Sequence, residues 1–414
     1  MVKRFGIWSL CLVVLGSLRC GTGIETLKTK VCTPNGDFAV LDDFVYSTGK
    51  DSFATKIRPG LGGYLLGVGK GVFSDDKEHW ITRLSQDGGS VWETVDDFNY
   101  VTNNNSGAND VIVDSSGNYL SVGYGTSGGF THWVVRRSVD TGLTWATVDD
   151  YQLAAGGNAV AQAIVVHGNG DIYVSGFAFN TTSHWITRLS EDAGVTWTTV
   201  DDYQFQSAQN SRANGIAVDP SGSLFSIGSG VASGETHWIV RKLINAGTEW
   251  TTVDDFVLSD ATFASASAIA INSSGVLFVT GQGSDGTVIR GLTRKSVNNG
   301  VAWTTVDNFN YTRTDDSTIV GDTVFSAIAL DGVGNPYVTG YGGLASGTGE
   351  SWLVRKSTTS GTVWDVLSAF QVPGGTSSEG TGLFFDSSGS LYSSGFGDDP
   401  TASRWILRRA ACSN

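Results

Sequence analysis

Residues Arg83–Phe98 read RLSQDGGSVWETVDDF, and the chain repeats this stretch along most of its length. It returns as RRSVDTGLTWATVDDY ending at Tyr151 and as RLSEDAGVTWTTVDDY ending at Tyr203. Looser copies are RKLINAGTEWTTVDDF to Phe256, RKSVNNGVAWTTVDNF to Phe309 and RKSTTSGTVWDVLSAF to Phe370. Their tryptophans, Trp92, Trp145, Trp197, Trp250, Trp303 and Trp364, stand 53, 52, 53, 53 and 61 residues apart. A period in that range marks supersecondary units that stack or close into a ring.

Each unit has the same order of parts. From Ala108, ANDVIVD reads as a first strand, Ser115-Ser116-Gly117 as a turn and NYLSVGYG as a second strand. HWVVRRS is a third strand, VDTG a tight turn and TWATVDDY a fourth. The opening segment recurs as ANGIAVDPSGSLFSIG from Ala213, ASAIAINSSGVLFVTG from Ala266 and FSAIALDGVGNPYVTG from Phe325. Four short strands per unit, with turn signals every 8–12 residues or so, predict an all-β fold of β-propeller blades. The 55 glycines suit many tight turns, and no stretch keeps a helical period.

Third strands count the blades. Trp80, Trp133, Trp185, Trp238, Trp352 and Trp405 each open a W-x-x-R segment, and Gly291 holds that place in the fifth unit. Seven blades are therefore expected. The last unit stops after its third strand, while Asp37–Phe44, ending VLDDF, looks like a fourth strand with no blade of its own. The N-terminal strand is expected to complete the last blade and so remove a free sheet edge.

Two resemblances follow from these residues. The S-x-D-x-G-x-x-W turns at Ser85, Ser138 and Ser190 resemble the Asp-box (BNR) repeat of sialidases and sortilin-like receptors. The G-I-A-V-D-P-S-G-S-L-F segment is similar to the bacterial SBBP propeller repeat. Together they cover nearly all of the chain after its leader, and they imply structure more than function. In the later copies the box Asp becomes Asn245, Asn298 and Thr359, and Leu243 replaces the opening Ser. The Asp or Asn is expected to accept turn amides, the Gly to supply a positive φ, and the box Trp to be buried between sheets.

Lys3 and Arg4 precede an apolar run to Leu18, the pattern of a secretory signal too short for a membrane span. Two processing sites remain open. Gly21-Thr22-Gly23 offers ordinary cleavage, giving a leader over 1–23 and a propeller over 24–414. Ser17-Leu18-Arg19-Cys20 resembles a lipobox, with Cys20 acylated and a lipid anchor the sole membrane attachment. The expected location is the bacterial periplasm, outer membrane or cell surface. With Cys11 in the leader and Cys20 either acylated or removed with it, Cys32 and Cys412 remain, and both fall in the broken box of the closing blade. A disulfide there is expected in an exported chain.

The net charge is −14, and −17 without Lys3, Arg4 and Arg19, which argues against nucleic acid as a partner. Four histidines, His79, His132, His184 and His237, share one position in four units, so they sit apart and predict no metal site. Arg83, Arg136, Arg188, Arg241, Arg294, Arg355 and Arg408 lie three residues after the third-strand position. Each is expected to pair with the acids that end a neighbouring fourth strand, such as Asp96-Asp97.

The sialidase resemblance would imply an arginine triad, a Tyr nucleophile with a Glu, and an F/Y-R-I-P motif. Ile57-Arg58-Pro59 has the wrong order and is expected on the wrong face, leaving Arg212, Arg290, Arg313 and Arg404 as the other arginines after the leader that are neither at nor beside the repeat position. No catalytic residue and no cofactor are predicted, and a monomer is expected. The second residue of each inner strand is Phe53, Asn109, Gln162, Asn214, Ser267, Ser326 and Thr381, polar in all but the first. These residues, with Arg313 on the longest connecting loop, are the candidate rim for a protein or carbohydrate ligand at the channel mouth. The expected role is a binding or scaffold module at the cell envelope, the alternative a sialidase-like glycoside hydrolase or lectin.

Overall fold

Each repeat folds into four antiparallel strands laid side by side in chain order. In the first they are Ser52–Pro59, Leu65–Val72, Glu78–Ser85 and Glu93–Phe98. The computed structural model describes residues 34–244, 247–258, 263–284, 286–312, 321–343 and 349–412. Among them, twenty-eight strands form five four-stranded sheets and one eight-stranded sheet. The larger sheet is two sets of four, joined by a single parallel bridge between Thr236 and Phe263. The helical content of the described residues is one three-residue turn, Leu61–Gly63.

The burial pattern explains this layering. Third strands are apolar on both faces: Trp133, Val134 and Val135 are all fully buried, because a sheet lies on either side. Fourth strands such as Ala146–Tyr151 are exposed along most of their length, as outer edges should be. The first strands are innermost. Each packs against the first strand of the next set, and Ser378–Phe385 packs against Ser52–Pro59.

The two ends of the chain share one sheet. Pro34–Phe44 pairs antiparallel with Ser403–Cys412, with Phe44 opposite Trp405, Asp43 opposite Ile406 and Pro34 opposite Cys412. The isolated VLDDF segment is thus the outer strand of the last sheet. Cys20 and Cys32 lie outside the described residues.

The expected burial of the box tryptophans needs correction. The tryptophans that are fully buried are those of the third strands, Trp80, Trp133, Trp185, Trp238, Trp352 and Trp405. The box tryptophans are only half-buried. Trp197 lies against the edge of a core cluster and donates its indole N–H to Gly194 O at 3.3 Å. A turn at the sheet's outer corner has neighbours on one side only, so its Trp caps the core instead of filling it.

The box turns themselves behave as their side chains dictate. Asp192 accepts the amides of Val195 and Thr196, and Gly194 N donates to Ser190 Oγ at 2.8 Å. The Thr196 amide and hydroxyl hold the Asp192 carboxyl down to about 2. Asn298 accepts the amide of Ala302, and Thr359 accepts that of Val363, so both substitutes still cap. Asn245 lies outside the described residues.

The arginine expectation holds at six junctions and fails at the seventh. Arg136 forks onto Asp96 of the preceding set with two 2.7 Å bonds, its guanidinium 3.8 Å from the centre of the Phe98 ring. Arg83 forks onto Asp42, Arg188 onto Asp149, Arg294 onto Asp254 and Arg355 onto Asp307 in the same way, while Arg241 meets Asp201 through Nη1 and leaves Nε unbonded among the described residues. Burial raises the Asp96 carboxyl above its ordinary range even with Arg136 against it. Such pairs fix which surfaces meet more than they add stability. Among the described residues Arg408 meets no acid, because Ser368 holds the place that Asp96 holds in the first set.

Candidate functional site

The site begins with a backbone irregularity. Every innermost strand carries one β-bulge, and the extra residue is Thr55, Asn109, Gln162, Asn214, Ser267, Ser326 or Thr381. A bulge leaves one residue out of the ladder and re-aims its side chain. Here all seven line one cavity of about 440 Å³. Small-molecule sites run from roughly 300 to 1,000 Å³.

The structure therefore brings six of the expected rim residues together and replaces the seventh. Phe53 stands two positions before the bulge and packs edge-on against Phe396, ring centres 4.9 Å apart. Thr55 takes the channel position. The signal was present in the sequence: Ala54 matches Ala108, Ala161, Ala213 and Ala266, each immediately before its bulge. Arg313 lies outside the described residues.

The bulge residues divide into two kinds. Asn109 Nδ2 donates to Ala161 O at 2.8 Å, Asn214 Nδ2 to Ala266 O at 2.8 Å, and Thr381 Oγ1 to Ala54 O at 2.7 Å. Each of these bonds ties one innermost strand to the next, and the third crosses between the last set and the first. These three donors hold the channel wall. The side chains of Thr55, Gln162, Ser267 and Ser326 make no such bond among the described residues and present amide and hydroxyl groups to the cavity.

One side of the channel is charged. Lys56 and Arg58 come from the strand Ser52–Pro59 and Asp110 from Ser106–Val113, and all three line the cavity. Arg58 donates to Asp110 through Nε at 3.2 Å and Nη2 at 3.4 Å, and the Val111 amide donates to the same carboxylate at 2.9 Å. Arg58 thus reaches the channel lining from near the C-terminal end of its strand. Burial draws the Lys56 ammonium down to about 8, with Asp110 acting in the opposite direction. Farther along the same strands the lining turns apolar, through residues such as Val113, Val166, Ile271 and Leu330.

The repeated charges lie elsewhere and are engaged with one another. His79 Nδ1 is 2.8 Å from Asp97, and His132, His184 and His237 meet Asp150, Asp202 and Asp255 in the same way. Each paired acid thus divides its work: the first Asp holds the next set's Arg, the second its own set's His. Arg212 lies 4.4 Å from the centre of the Phe177 ring, and Arg404 bridges Asp43 and Asp399. Among the described residues lining the cavity, Arg58 is the sole arginine.

No family model matches the chain, and no curated protein matches it. Solved structures do resemble it in fold. YCF48 from Cyanidioschyzon merolae is 14% identical with a TM-score of 0.55, the match covering 91% of this chain and 99% of that one. A polysaccharide lyase of family PL25, an ulvan lyase, is 10% identical with a TM-score of 0.54, over 92% and 93% of the two chains. Both likenesses are to β-propeller-type folds, and at these identities they concern the fold alone.

Proposed function

We propose that the chain is an exported, seven-bladed β-propeller with Asp-box-type turns that binds a small polar ligand in its central channel. In this reading it is a monomeric binding or scaffold module of the bacterial cell envelope. The observation that carries the reading is the convergence of seven bulge residues on one cavity, three locking the wall and the rest facing inward. Amides and hydroxyls that both donate and accept suit a polyhydroxylated ligand such as a carbohydrate.

A glycan array read with the intact protein and with Gln162→Ala and Ser326→Ala variants tests this. Binding that weakens in the variants supports the channel; binding that ignores them moves the site elsewhere. The sialidase-like alternative calls for three arginines on one carboxylate, whereas the described cavity lining supplies Arg58, already held by Asp110. Turnover of a fluorogenic sialoside would favour that alternative. Export is part of the proposal. A mature N-terminus at Ile24 would support ordinary cleavage, whereas loss of membrane association in Cys20→Ser would support a lipid anchor.

A further inference from the structure

The residue after each bulge breaks the symmetry of the channel. In the first two strands it is Lys56 and Asp110, whereas Ala163, Gly215, Ala268 and Ala327 follow in the next four. Asp110 is occupied by Arg58 and by the Val111 amide. Lys56 makes no hydrogen bond or ion pair with any described residue. It is half-buried, and it lines the cavity. A half-buried cation without a close partner is less favourable than one in water unless it loses its proton or meets an anion. With the group at about 8, the charged form still predominates at neutral pH.

The charged and neutral parts of the lining specify different parts of a ligand. Lys56, Arg58 and Asp110 sum to one positive charge, which matches a monoanion better than a dianion such as phosphate. Gln162, Ser267 and Ser326 stand on other innermost strands of the same cavity, with polar atoms uncommitted among the described residues. Resting on the channel reading above, we infer that the ligand is a carboxylate-bearing sugar or a polyhydroxy acid of similar size. Its carboxylate meets Lys56 Nζ and its hydroxyls meet Gln162, Ser267 and Ser326. Lys56 is then the specificity-determining residue for charge.

The test uses titration calorimetry on the whole chain with D-glucuronate, D-glucose and inorganic phosphate. At about pH 7 glucuronate should bind about ten-fold or more tightly than glucose, the size of one charge-assisted hydrogen bond. Lys56→Met should abolish that preference, while its melting temperature stays at or above that of the parent. Raising the pH to about 9.5 should weaken glucuronate binding in the parent chain and not in Lys56→Arg, whose charge persists. Equal binding of glucose and glucuronate, or a preference kept in Lys56→Met, overturns the anion inference and leaves the channel reading standing. Preference for phosphate overturns the monoanion assignment. Failure of every sugar on the array and in calorimetry to respond to Gln162→Ala or Ser326→Ala overturns both readings.

Discussion

Trp80 of one sheet lies over Gly123 of the next. A Cβ on Gly123 would stand 2.8 Å from Trp80 Cζ3 and 2.0 Å from the carbonyl oxygen of Gly107, so the indole sits where a side chain cannot. The same relationship joins Trp133 to Gly176, Trp185 to Gly228, Trp238 to Gly281, Trp352 to Gly395 and Trp405 to Gly69. The last of these pairs crosses from the closing sheet to the first. A large aromatic on one surface and a bare backbone on the other set the spacing between sheets.

Trp185 and Trp197 should differ accordingly. Trp185→Ala empties a fully buried site and should cost about 3–5 kcal/mol, whereas half-buried Trp197→Ala should cost less than about 3. Denaturant titration measures both. Equal losses would mean that the box turns and the sheet boundaries contribute alike.

The fifth set has Gly291 where the others have Trp, and Phe325 fills the space from the following set. A Cβ on Gly291 would meet the Phe325 ring at 2.7 Å, and Phe325 is fully buried where five other sets have a buried Ala. Phe325→Ala should cost about 3–5 kcal/mol, and Gly291→Trp alone about 1–3 through overpacking. The double variant restores the common pattern and should recover at least about 1 kcal/mol of the summed loss. Strict additivity of the two losses would show that the positions do not share one space.

Ser368→Asp should stabilise the protein. Arg408 is buried with Nε and Nη1 unbonded among the described residues, stacked 4.0 Å from the centre of the Phe370 ring, and burial lowers it to about 10. An acid at 368 would supply the carboxylate found at the other six junctions, for a gain of about 1–3 kcal/mol. Arg408→Met, which removes the buried charge, should be neutral or stabilising. Destabilisation by both changes would show that Arg408 has a counter-charge of another origin.

Stability should fall as the pH rises from about 4.5 to about 8, in the part that Glu379 contributes. Burial, with Glu350 beside it, pushes the Glu379 carboxyl up to about 8, so the folded chain keeps a proton that the unfolded chain releases. That contribution is complete below the unfolded value and lost above the folded one. Glu379→Gln keeps a neutral donor and should flatten the dependence by about 1–3 kcal/mol, allowing for solvent screening. Urea titrations at about pH 5 and pH 8.5 give the answer, and parallel profiles for parent and variant would rule Glu379 out as the source.

The proposed Cys32–Cys412 disulfide would lie at the end of the pairing between the two chain ends, where Pro34 stands opposite Cys412. A peptide map without reductant should contain the two cysteines in one species. Cys412→Ser should then lower stability by about 2–5 kcal/mol. A map with the cysteines in separate peptides would refute the bridge.

Repeat period, strand order, turn chemistry and the pairing of the two chain ends were legible in the sequence, because each rests on local pattern: spacing, alternation and turn residues. Most of the channel lining was legible too, as a polar position recurring in the first strand of each unit. Tertiary structure decided the rest. Trp80 and Trp92 look equally fit for burial in a list of residues, and only the stacking of one sheet on the next buries the first fully. The Asp96-Asp97 pair looks uniform until the sheet boundary assigns Asp96 to Arg136 and leaves Asp97 to His79. Lys56 and Arg58 are ordinary basic residues two apart in one strand. Asp110, on the neighbouring innermost strand, binds Arg58 and leaves Lys56 without a hydrogen bond or ion pair among the described residues, a difference set by contact between strands and not by either residue's own sequence neighbours.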